Sequence, residues 1–349
     1  MPKKSENRET EIIEFIKNHP RCSSQEILDG LNLEISVATL RRKLQELVAD
    51  DLINAIGELK SRKYEISNGY NIIRPIDVGQ YFEKEIDERI IQDKFNIELI
   101  SQTLQNISIF TNTELDQLNN LQEKFKSNSS KLSKSEYKNE LERLAIDLSW
   151  KSSQIEGNTY SLLETERLLK DKETAAGKTK DEATMLLNHK DALDFIIKNP
   201  NYINPLNVSS IEDIHSILVK ELDISRNIRN RRVGISGTNY KPLDNEFQIK
   251  EAVESMCTLI NSKKNVFEKA LLSLVLVSYI QPFSDGNKRT ARIISNAILI
   301  NNHFCPISFR TIDSIEYKKA MLVFYEQTNI SPFKKAFIGQ FEFAVNTYF

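Results

Sequence analysis

A run of about eleven residues, ALLSLVLVSYI (Ala270–Ile280), carries no charged side chain. A helix of that composition is apolar around its whole circumference, so it must be enclosed on every side. It is too short to span a bilayer, which needs roughly 20 apolar residues. The run therefore predicts a helix at the centre of a soluble, mainly α fold. Composition agrees. With 10 Gly and 9 Pro in 349 residues there are few turn formers for an all-β chain, and the frequent Leu, Ile, Glu and Lys favour helices.

A formal charge of −2 excludes a polybasic coat but leaves room for a local basic face. Cys22, Cys257 and Cys305 lie far apart and form no CxxC pair, so they read as reduced thiols. The four histidines show no metal-ligand spacing. The opening MPKKSENRET has no apolar signal core. The expectation is a cytoplasmic protein with no membrane partner.

The length suggests two domains and a helical connector. Residues 1–66 read as three helices and a hairpin. TEIIEFIKN is stopped by HPR, and SSQEILDGL has Ser23 and Glu26 at capping-box spacing. SVATLRRKLQELVADD places Val37, Leu40, Leu44 and Leu47 on one helical face. Two short strands follow around Gly57–Ser61. This order resembles a winged helix-turn-helix domain. Arg41, Arg42 and Lys43 on the third helix, with Lys60, Arg62 and Lys63 on the wing, are placed to meet phosphates beside a DNA groove. Acids about equal bases here, so protein interaction or homodimer formation stands beside DNA binding as a role.

Residues 67–135 read as a helical connector ending in a polar linker, SNSSKLSKSE. From Glu136 to Phe349 the pattern is helical again, with a first amphipathic helix running to Gly157. One segment differs: in RNRRVGISGTNYKPLD, Val233–Gly237 suit a short β-hairpin.

The apolar run leads directly into QPFSDGNKRTAR (Gln281–Arg292). A glycine-containing loop that opens a helix presents free backbone N–H groups at the positive end of a dipole, which is an anion site. Lys288, Arg289 and Arg292 add positive charge there. Asp285 makes little sense for holding an anion alone, but suits a Mg²⁺ that bridges to phosphate. The residues thus point to ATP or a similar triphosphate with Mg²⁺. The competing reading is an ordinary capped helix N-terminus with exposed bases.

The stretch resembles the Fic (fido) family signature, His-Pro-Phe-x-Asp/Glu-Gly-Asn-Gly/Lys-Arg-x-x-Arg, at Pro282, Phe283, Asp285, Gly286, Asn287, Lys288, Arg289 and Arg292. The resemblance implies a helical Fic bundle over 136–349, with its core at about 205–340 and a flap hairpin that holds a target segment. It implies AMP transfer from ATP to a Ser, Thr or Tyr hydroxyl of a protein. Asp285 would hold Mg²⁺, Gly286, Asn287 and Lys288 would cradle phosphate, and Arg289 would stabilise transition-state charge. Ile235, Ser236, Gly237 and Thr238 would lie near the nucleotide, and Tyr317 and Tyr325 would flank adenine. SSQIEGN resembles the family's inhibitory pattern as Ser152, Glu156 and Gly157, on a helix at about 136–157. Glu156 would then occupy Arg292.

Two positions depart from the pattern. Gln281 stands where the family has its general-base histidine, and a carboxamide has no titratable nitrogen near neutral pH. Transfer is expected to be impaired, since a general base contributes about 10²–10⁴-fold. Lys288 stands where Gly is commoner, as in the Doc branch, whose members transfer phosphate. A Doc-like phosphotransferase, and a nucleotide-sensing DNA-binding regulator with a degenerate Fic domain, are the alternatives.

Overall fold

The computed structural model describes residues 3–32, 35–58 and 61–349, with side chains from residue 8 onward. Lys60, expected on the wing, lies outside the described residues.

The N-terminal unit is built from α1 (Lys3–Asn18), β1 (Cys22–Ser23), α2 (Ser24–Gly30), α3 (Val37–Ala49), β2 (Ile53–Ile56) and β3 (Lys63–Ile66). Ser23 and Glu26 close the expected capping box of α2, and Ser36 caps α3. The strands form one antiparallel sheet in the order β1-β3-β2, with Ile53 opposite Ile66 and Ile56 opposite Lys63. Ile12, Ile16, Ile27, Leu40, Leu44 and Tyr64 fill a small separate core.

The connector departs from the sequence reading. Where a mainly helical segment is expected, residues 70–103 give only short pieces: α4 (Tyr70–Ile73), α5 (Val78–Tyr81), a 3₁₀ turn at Ile86–Glu88 and a π turn at Leu99–Thr103. Long-range bonds hold this segment extended. Gln92 N donates to Glu326 O at 2.8 Å, and Asn96 N to the Tyr279 hydroxyl at 2.9 Å. The expected linker SNSSKLSKSE is the corner between α6 (Asn112–Ser129) and α7 (Lys134–Ile155). Its polar residues cap helices: Ser133 and Glu136 form a capping box that starts α7. Leu118 and Phe125 of α6 share one core with α7 and the helices that follow, so this corner joins packed helices.

Eight more helices complete the bundle: α8 (Leu162–Asp171), α9 (Lys180–Lys198), α10 (Val208–Leu218), α11 (Glu246–Ser262), α12 (Val266–Ile280), α13 (Asn287–Asn301), α14 (Ser314–Gln327) and α15 (Ser331–Thr347). The N-cap of α10 is Asn207, whose side chain accepts from Ser210 N. The apolar run lies in α12, where only Val266 and Lys269 escape burial. It packs against α11, α13, α14 and α15. Among the described residues no helix is long and apolar enough to cross a membrane. The segment expected as a hairpin turns at Ser236–Gly237 between two extended arms, which pair in no ladder with each other. This flap is fastened at its base by buried Arg229. That guanidinium donates to Gln281 O at 2.7 Å, Arg231 O at 2.7 Å and Leu243 O at 2.5 Å.

Candidate active site

The chain leaves α12 through Gln281, in a left-handed conformation with φ of 54°. Its side chain secures the turn. Nε2 donates to Ser278 O at 2.6 Å, and Oε1 accepts from Asn287 Nδ2 at 3.0 Å. Asn287 staples the loop from the other side. Its Oδ1 accepts from Phe283 N at 2.9 Å, and its Nδ2 donates to Phe283 O at 2.8 Å. Asn287 is thus a scaffold of the loop in this state, with its amide fully engaged.

Gly286 begins α13 at φ 80°, and no side chain caps that end. A Cβ at Gly286 would lie 3.1 Å from His215 Cε1. His215 cannot easily yield. It stacks on Phe283 with ring centroids 3.6 Å apart, and its nitrogens lie 3.3 Å from Thr290 Oγ1 and 3.3 Å from Ser225 O. Burial pushes its pKa down to about 4, so the ring is neutral at pH 7.

Arg289 is buried beneath this loop. Its Nη2 lies 3.5 Å from Asp285 Oδ2, while Nε and Nη1 have no hydrogen-bond partner. Buried donors left unpaired are costly, and here they lie beside the uncapped N-terminus of α13. Both features fit an anion. Asp285 is largely exposed and accepts from Gly286 N at 2.6 Å. Among the described residues no cluster of three metal-ligating side chains exists. One exposed carboxylate fits a Mg²⁺ only where a triphosphate brings further oxygens.

Glu156 closes the site from α7. Its Oε1 accepts from Arg292 Nη2 at 2.6 Å, and its Oε2 lies 3.4 Å from Lys288 Nζ. Burial pushes its pKa up, but Arg292 and Lys288 outweigh this and hold it below the ordinary carboxylate value. Arg292 is fully buried and fully engaged. It also donates to Ser152 O at 2.9 Å, Ser152 Oγ at 2.7 Å and the Tyr317 hydroxyl at 3.2 Å.

A cleft of about 390 Å³ joins these groups. Its walls include Glu156, Gly157, Val233–Ser236, Gln281, Asp285–Arg289, Met321 and Tyr325. Of the four flap residues expected near the nucleotide, Ile235 and Ser236 line the cleft, while Gly237 and Thr238 are not among its walls. Of the two tyrosines expected to flank adenine, Tyr325 lines the cleft and Tyr317 does not. Tyr317 is buried beneath Arg292, 4.8 Å from ring centroid to guanidinium. Sequence reading missed His215 and Arg229, whose roles depend on partners far away in the chain.

Residues 205–299 match the model of the Fic/DOC family. The chain carries a Fic/DOC domain. The matched segment of this Fic domain runs from α10 through the flap, α11, α12 and the anion loop into α13. Curated relatives include a protein adenylyltransferase Fic of Nematostella vectensis, 31% identical over 172 residues, 48% of this chain and 40% of that protein. A probable protein adenylyltransferase of Aquifex aeolicus is 27% identical over 99 residues, 28% of this chain and 31% of that protein. The chain thus spans two fifths or less of these relatives' own lengths. Among solved structures, Fic-1 of Caenorhabditis elegans superposes with a TM-score of 0.59 at 20% identity, covering 68% of this chain and 72% of that one. A Fic-domain signalling protein of Bacteroides thetaiotaomicron gives 0.58 at 21% identity, covering 66% and 95%. At these identities the structures establish the helical Fic fold.

Proposed function

We propose that this chain is a self-inhibited protein nucleotidyltransferase, moving AMP from ATP to a hydroxyl side chain of a protein. One observation carries the reading. Arg289 holds two unpaired, buried donors beside an uncapped helix N-terminus, while the neighbouring cation, Arg292, is occupied by Glu156. The first is a built anion site and the second is its stopper. The relatives' names, protein adenylyltransferase, supply the reaction class.

In this reading Gly286, Lys288 and Arg289 hold the phosphates, and Tyr325 borders the base. Asp285 would hold Mg²⁺, which neutralises phosphate charge when bound. The acceptor oxygen attacks the α-phosphorus, the bond to the pyrophosphate oxygen breaks, and the hydroxyl proton must leave. The position nearest that task is Gln281, whose carboxamide is already spent on Ser278 and Asn287. It cannot take a proton, so transfer is slow as the chain stands. Glu156 adds a second restraint by denying Arg292 and Lys288 to the terminal phosphate.

Lys288 favours one second reading, phosphate transfer with the nucleotide reversed. Transfer from ATP labelled at the α- or γ-phosphate separates the two. We expect α-label on protein with the Gln281→His, Glu156→Gly chain. Label from the γ-phosphate alone would establish the second reading.

The N-terminal unit supports a winged-helix reading through its three helices and antiparallel hairpin. Its basic face is partly spent within the unit. Lys43 pairs with Glu9 at 2.8 Å, Arg42 lies 3.8 Å from Glu46, and Lys63 lies 3.8 Å from Glu26. Arg41 and Arg62 are exposed. Exposed pairs of this kind are weak and leave both roles open, and binding of duplex DNA at low salt separates them, since phosphate contacts are strongest there.

A further inference from the structure

Arg89 lies outside the matched family segment, in the extended strap between α5 and α6, yet its side chain is only 3% exposed. Its guanidinium passes over the Phe82 ring at 5.0 Å. Nη2 donates to Gly237 O, in the flap turn, at 2.9 Å. Nη1 lies 3.2 Å from Glu326 Oε2, on α14, and that oxygen also accepts from the Tyr81 hydroxyl at 2.6 Å. Gly237 in turn faces α14. A Cβ built on it would lie 3.4 Å from Leu322 Cδ1. Leu322 and Glu326 are one helical turn apart, so the flap turn rests on α14 at one residue and is fastened to it, through Arg89, at the next turn.

The strap continues this fastening along the outgoing flap arm. Asn239 Nδ2 donates to Asp87 Oδ1 at 2.9 Å, and Lys241 N donates to Asp93 O at 2.8 Å. The incoming arm is treated differently. Val233, Gly234, Ile235 and Ser236 line the cleft and make no backbone–backbone hydrogen bond among the described residues. One arm is thus tied down and the other is left open to an extended segment.

We propose that Arg89 is a positioning residue for the flap: it sets the distance between the open arm and the anion loop, and so the placement of the acceptor hydroxyl. The part that concerns an acceptor rests on the function proposed above. The part that concerns the flap does not. Arginine suits the task because its planar fork reaches a carbonyl and a carboxylate together, which an ammonium does not do in one fixed geometry.

Hydrogen exchange on the full-length chain, without ligand, tests it. Arg89→Met with Glu326→Gln removes both charges together, so neither is left buried alone. Exchange at residues 237–241 should rise about tenfold or more, the scale of losing a hydrogen bond to a charged group, while α13 stays unchanged. Asn239→Ala, at an exposed position, should give the same local rise at smaller size, and it decides the matter if the double variant unfolds. Wild-type exchange at 237–241 in Asn239→Ala and in the folded double variant, or equal loosening of α13, would overturn the proposal. In a chain also carrying Gln281→His and Glu156→Gly, the double variant should raise KM for the protein acceptor and leave KM for ATP unchanged. An equal rise in both would reduce Arg89 to a general structural role. Absence of any transfer in the activated parent would count against the function, with the exchange result standing by itself.

Discussion

Glu156 and Arg292 meet at 2.6 Å although 136 residues separate them in the chain. The pair joins α7 to the first turns of α13, and Lys288 adds a second contact to the same carboxylate at 3.4 Å. A charge-assisted bond of this kind occupies a cation that the function proposed above assigns to the terminal phosphate.

Replacing Glu156 with Gly should therefore raise ATP affinity. One hydrogen bond to a charged group corresponds to about tenfold to a hundredfold. The same change leaves buried Arg292 short of its counter-ion, so the ligand-free variant should melt earlier and recover with ATP. Calorimetric titration and thermal melts with and without ATP check both halves.

Acid should not open this stopper within the ordinary working range. Arg292 and Lys288 hold the folded-state pKa of Glu156 below the ordinary carboxylate value. A depressed carboxylate keeps its contribution above the unfolded value and loses it as pH falls through the folded one. Transfer by the Gln281→His chain with Glu156 intact should stay low from about pH 9 down to about pH 5. A rise in transfer as pH approaches 5 would show that protonation of some group releases Arg292.

Overall stability should fall on mild acidification for another reason. His215 has its pKa pushed down to about 4 by burial, and buried His189 is lowered well below 6.5 by burial and by the nearby arginines. Both are neutral when folded and protonate more readily when unfolded. Stability is therefore complete above about pH 6.5 and declines below it, by about 2 kcal/mol at pH 5 for His215 and in the same direction for His189. Denaturant melts at pH 7.5 and pH 5 should show the loss, and His189→Asn should reduce it.

Gly286→Ala should cost about 1–3 kcal/mol for a left-handed non-glycine backbone, with the added crowding of His215 Cε1 at 3.1 Å. Nucleotide binding should weaken with it, because the shift falls on the N–H groups that start α13. Unchanged melting and binding would mean that the loop tolerates a side chain at this position.

The centre of the fold was legible in sequence because α12 is apolar on all sides and admits only one environment. The anion loop was legible because its residues are neighbours in the chain. The strap was not. Its amphipathic pattern suits a helix, but bonds from Gln92 to Glu326 and from Asn96 to Tyr279 hold it extended. The same non-locality hid Arg89 and Arg229, which in sequence look like any surface arginine. Tyr317 shows the reverse case. The resemblance puts it beside adenine with Tyr325, yet it packs under Arg292, where its hydroxyl accepts from the buried guanidinium and its ring lies against it.

In the function proposed above, a site furnished for nucleotide transfer is stopped twice, by Glu156 and by Gln281. Label transfer from α-labelled ATP to protein, compared among the unaltered chain, each single variant and Gln281→His with Glu156→Gly, tests it most directly. Little label is expected for the unaltered chain, partial transfer at most for either single change, and clear transfer for the pair, about 10²-fold or more above the starting chain as for a restored general base. No label with the pair, on itself or on any added protein, while ATP binding is retained, would contradict it.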